Sequence, residues 1–149
     1  MRNPQILPRD RDLLDRLDAT MARKRITTAE LLAAIGEVEA RRLHADKGYE
    51  TIFDYCVNEL RMDDDELAGK VIAARVARRY PAIFEAIADG RLQLDGVVLL
   101  APYLRDTNSG ELLATAANRT HAEVTRLIMD RFPSGFPDDF DPALTDPLA

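Results

Sequence analysis

Along this chain, Thr27 with Glu30, Asp63 with Glu66 and Thr120 with Glu123 share one spacing: a short polar side chain, then a glutamate three residues on. An apolar run at helical spacing follows each pair. In that arrangement the first side chain accepts a backbone N–H of the coming helix and the glutamate reaches back, which satisfies two donors that a helix start leaves orphaned. Stop signals are as regular as starts. Gly48 and Gly90 close apolar runs, and Pro81 disfavours helical geometry at Tyr80 while suiting the first position of a new helix. No stretch shows the sustained alternation or the turn-bounded β-branched clustering that a strand needs. The expectation is an all-α fold, a single compact domain of seven or eight helices.

Residues 9–25 read as a first amphipathic helix with Leu13, Leu14, Leu17 and Met21 on one stripe, preceded by Pro8. Thr27 and Glu30 then predict a second helix that carries Leu31, Leu32, Ile35, Val38 and Leu43 and ends at Lys47 and Gly48. The segment ETIFDYCVNEL is dense in bulky side chains and reads as a central plug. After it come DDDELAGKVIAARVARR, PAIFEAIADG, GVVLLAPYL capped by Asp95, a helix capped by Thr107 or Asn108 and running through Ala117, and VTRLIMDRF. From Pro133 the periodicity stops and prolines and aspartates take over, so the organisation reads as an N-terminal helix or arm at 1–27, a helical domain at 28–132 and a flexible tail or linker at 133–149.

A chain of 149 residues buries roughly 68–70% of its unfolded surface, enough for one ordinary core. Its single cysteine, Cys56, excludes an internal disulfide framework and, flanked by apolar residues, reads as an inert buried thiol in a reducing compartment. No apolar run approaches a membrane span and none follows the N-terminus, so the protein is read as untargeted, cytoplasmic and without a membrane partner. The net charge of -6 argues against coating a polyanion by bulk electrostatics. Charge is nevertheless uneven: residues 1–28 hold seven Lys/Arg and four Asp, whereas the segment from Asp138 onward holds four Asp and no cation.

Chemistry finds little to use. His44 and His121 stand far apart, outside any metal-ligand or nucleophile-base spacing, and both read as surface residues; the glycines are scattered rather than grouped in a phosphate loop. The run Asp63, Asp64, Asp65, Glu66 reads as a helix cap and dipole complement, because consecutive helical side chains diverge by about 100°. No catalytic residue, metal or cofactor is therefore expected.

Residues 49–79 do have the proportions of a helix-turn-helix, with Cys56, Leu60, Met62, Leu67 and Val71 where two crossed helices need apolar contact. Against groove reading, the second helix would lead with Asp64, Asp65 and Glu66, and its Leu67, Val71, Ala74, Ile72 and Val76 leave little polar circumference. That predicts a buried helix, with Ala68, Gly69, Ala73, Ala74 and Ala77 letting neighbours approach. Arg75, Arg78 and Arg79 at its end, together with Lys70, Arg23, Lys24 and Arg25, are the candidate contacts to duplex DNA phosphates.

The segments EVEARRLHADKGYETIFDYCVNEL, MDDDELAGKVIAARVARRYPAIFEAIADGRLQLDGVVLLAPYL and ELLATAANRTHAEVTRLIMDRFP, within about residues 28–133, resemble the N-terminal helical region of a bacterial family of HNH endonucleases. More distantly, in arrangement alone, they resemble the DNA-binding domain of ParB/KorB partition proteins. In the HNH family the catalytic metal module lies downstream of such a region; no position here matches its His-Asn-His motif, so the resemblance implies a non-catalytic DNA-binding module and no nuclease activity in this chain. The competing expectation is a protein-interaction or dimerisation module, a homodimer or a complex with another protein, which the negative charge favours.

Overall fold

A computed structural model describes residues 6–149, so the first five residues of the expected N-terminal arm lie outside the described residues. The described chain is all-helical, as expected: α1 (Pro8–Ala40), α2 (Leu43–Asp46), α3 (Ile52–Asn58), α4 (Asp64–Arg79), α5 (Ala82–Ala88), α6 (Leu94–Leu100), α7 (Ser109–Ala116) and α8 (His121–Arg131), with 3-10 turns at Ala101–Tyr103 and Pro142–Leu144.

Helix α4 is the centre. Leu67, Val71, Ile72, Ala73, Ala74, Val76 and Ala77 are all buried, on more than one face, because α1, α3 and α6 pack around it. Small residues make those approaches possible. A Cβ on Gly36 of α1 would lie 3.4 Å from the Ala74 carbonyl oxygen, and one on Gly69 would lie 3.3 Å from Leu94 of α6. The expected plug holds only in part: Ile52 and Cys56 of α3 are 1% exposed, Phe53 and Tyr55 are half-buried, and Leu60, expected in the contact with α4, is 50% exposed. Between α3 and α4, Arg61 adopts φ 55°, the left-handed geometry that glycine takes at lower cost.

Of the expected caps, Thr120 and Glu123 form the full reciprocal box and Asp63 accepts from the Asp65 amide at 2.9 Å. Thr27 and Glu30 do not start a helix. Helix α1 crosses them unbroken for 33 residues, because stopping there would strand N–H and C=O groups at two new termini while both flanks already favour helix. The expected boundary at residue 27 is instead where burial begins: Ala29, Leu32, Ile35 and Gly36 are the buried residues of α1. Gln93, not Asp95, stands at the N-cap of α6, and Asn108 holds the N-cap position of α7 while its side chain binds Tyr103 and Arg105.

The tail lacks an α-helix, as expected, but folds back onto the domain. Leu144 is buried, Phe136 packs at a tilt between Tyr103 and Phe140, and Arg105 donates to Asp139 at 2.7 Å. Arg75 fixes it most firmly, donating to the carbonyls of Ala143, Asp146 and Ala149 at 2.9, 2.7 and 3.0 Å. Arg75→Met should lower unfolding free energy by about 3 kcal/mol, since it leaves Glu39 of α1 without its partner. Denaturant titration measures that loss, and chymotrypsin should cut faster after Phe140 than in the wild type.

Candidate functional site

The seven cations proposed for DNA separate into two groups. At the C-terminal end of α4, Arg75 forms a two-pronged pair with Glu39, Nε to Oε1 and Nη2 to Oε2, both at 2.8 Å, and its side chain is only 11% exposed. Its guanidinium joins α1, α4 and the tail, and all five of its N–H donors are engaged, so a phosphate would have to displace one of these acceptors. Arg78 donates to Glu37, which also accepts from Arg41 at 2.7 Å. Arg78 and Arg79 are about equally exposed, at 50 and 47%, and Arg79 is the less closely paired of the two, 4.0 Å from Asp106 and 5.6 Å from the Tyr80 ring.

The second group lies roughly 14 Å away along the axis of α4, counting nine residues at 1.5 Å each from Lys70 to Arg79. Lys70, Lys24 and Arg25 line one open groove of about 680 Å³ formed with α1, α4 and α6. Arg25 is half-buried, its guanidinium lying where a Cβ on Gly90 would meet it at 3.2–3.3 Å, and Gly90 has φ +85°. Asp65, Glu66 and Asp95 line the same groove, so its three cations face three acids, with His121 beside them. Arg23 is exposed and donates to Thr20 at 3.0 Å on its own helix.

Neither histidine supplies a site. His121 is exposed and 3.0 Å from Asp95, as a surface residue should be, but His44 is 4% exposed and its Nδ1 has no partner among the described residues, contrary to expectation. The carboxylates of Asp63, Asp64 and Asp65 do converge, with oxygens within 4.8 Å of one another, because Asp63 stands outside the helix at the cap. All three are exposed and Asp63 is occupied by capping.

The largest uncommitted feature is apolar. Leu7, Leu14 and Met21 recur every seven residues, with Leu13 and Leu17 between them, and these five side chains are 49, 47, 39, 57 and 57% exposed in that order. Seven-residue spacing keeps them on one side of α1, and among the described residues no element covers them. Met21 also lines the groove, so stripe and groove are continuous. The stripe from Leu13 to Met21 is visible in sequence; its extension to Leu7 and its lack of a cover are not.

No protein-family model, curated protein or solved structure matches this chain.

Arg78, then Arg41, hold the Glu37 carboxyl below its ordinary value, and Arg105 does the same for Asp139. Because both carboxyls are easier to ionise folded than unfolded, their contribution is present above the unfolded pKa and lost as pH falls through the folded one. Thermal midpoints should hold between about pH 5 and 7 and fall below about pH 4. Arg105→Met should reduce the acid-side loss attributable to Asp139.

Proposed function

We propose that this chain is a non-catalytic helical docking module that assembles with protein through the projecting part of α1. The supporting observation is the exposed stripe Leu7, Leu13, Leu14, Leu17 and Met21 on a helix whose burial begins only at Ala29. Helices in water draw most of their stability from packing an amphipathic face, and here the Leu7–Met21 stripe is covered by none of the described residues. Covering the exposed half of each side chain contributes about 1 kcal/mol, so the stripe offers about 5 kcal/mol per helix. The balanced groove and the paired arginines direct the reading toward protein rather than polyanion. Among the described residues no helix is long and apolar enough to cross a membrane, and the buried free thiol of Cys56 suits a cytoplasmic setting.

Leu14→Asp/Leu17→Asp tests it, because both side chains are exposed and the change should leave the domain's unfolding free energy within about 0.5 kcal/mol. In an extract of the cells that make the protein, the tagged wild type should elute well above its monomer mass and the variant at the monomer. Monomer elution of both would remove the reading.

Duplex DNA contact is the second reading, favoured by the exposure of Arg23, Lys24 and Arg79 and by the resemblance to the helical region of HNH endonucleases. Each phosphate contact should contribute about 0.9 to the slope of log affinity against log salt, so Lys24→Ala should flatten it by that amount. Absence of any DNA shift near about 50 mM salt would eliminate this reading.

A further inference from the structure

Charge along α1 is graded in a way that bears on its partner. Residues 9–18 carry four aspartates and three arginines, whereas residues 19–26 carry Arg23, Lys24 and Arg25 and no acid. Asp10, Leu17 and Lys24 are themselves seven apart, so an acid and a base lie at equal distances on either side of a central leucine, along the same stripe.

Resting on the docking reading, we propose that the occupant of the stripe is the α1 helix of a second copy of this chain, running antiparallel and crossing near Leu17. In that arrangement Asp10 of each copy lies alongside Lys24 of the other, and Leu13 faces Met21. The 9–18 stretch of one helix, four aspartates and three arginines, net −1, lies beside the 19–26 stretch of its mate, net +3, whereas a parallel pair would set +3 beside +3. A parallel pair would set Asp10 against Asp10 and Lys24 against Lys24 within the apolar seam, and like charges there oppose association. The overlap is also long enough. Pairing about Leu17 extends from Leu7 to the level of Thr27, and the neighbouring Thr28 lines the groove together with Met21, Lys24, Leu94, Val98 and Leu99. The N-terminal end of each α1 thereby meets the groove at the base of the other, so stripe and groove are covered by one contact. The two domains sit at opposite ends of the helix pair, and the symmetric contact closes on itself without propagating.

The test is sedimentation equilibrium on the purified full chain. The wild type should reach twice its 16.7 kDa, and Leu17→Asp should remain monomeric while its domain still unfolds in one cooperative transition. Lys24→Glu should raise the dissociation constant about fivefold or more by placing glutamate against Asp10, and Asp10→Lys/Lys24→Glu should restore it. A dimer indifferent to Lys24→Glu, or one the double exchange fails to restore, overturns the antiparallel arrangement. A purified chain that stays monomeric at every concentration overturns the second copy as occupant. In that event, wild type eluting above the Leu14→Asp/Leu17→Asp variant in extract leaves the docking reading standing with a different protein as partner, and equal elution there removes both.

Discussion

The contact between α1 and α4 decides what the rest of the molecule can do. Gly36 lets the two backbones come together at Ala74, and three residues further along α1, Glu39 takes both prongs of Arg75, whose remaining donors hold the tail carbonyls. A guanidinium can serve three elements at once because its five donors lie in a rigid plane, a geometry lysine cannot reproduce. The consequence is asymmetric. One end of a 33-residue helix is anchored on several sides, while the other carries Leu7, Leu13, Leu14, Leu17 and Met21 exposed, with no described element covering them.

Several of the twenty Lys and Arg are already committed within the domain. Arg75 joins elements, Arg78 and Arg41 share Glu37, Arg105 holds Asp139, Arg131 pairs with Glu111, and Arg25 lies across the turn at Gly90. Several of these pairs are exposed and add little to stability singly. Their effect is on availability, since a cation already facing a carboxylate has less field to offer outside.

Much of this was legible in the residues. The all-α class, the buried α4 with its small-residue contacts, the Thr120–Glu123 box and the stripe from Leu13 to Met21 follow from spacing, which short-range geometry enforces. What escaped were outcomes of competition. The signature at Thr27 is a real capping sequence, yet an unbroken helix satisfies more backbone groups than two capped ones. Arg61 accepts a left-handed conformation because the α3–α4 packing outweighs its local preference. The tail reads as a linker by composition, and only the position of Arg75 beneath it shows why it is held. His44 is buried with no signal in its neighbours that would announce it.

Everything the docking surface does depends on whether the projecting half of α1 is covered by its own kind. Amide hydrogen exchange resolved along residues 11–27 measures this directly in the purified protein. Covered helices should protect those amides well beyond the rates of an open chain in the wild type, and Leu17→Asp at the same concentration should lose that protection while α4 keeps its own. Open-chain exchange in the wild type, or equal protection in both proteins, would contradict it.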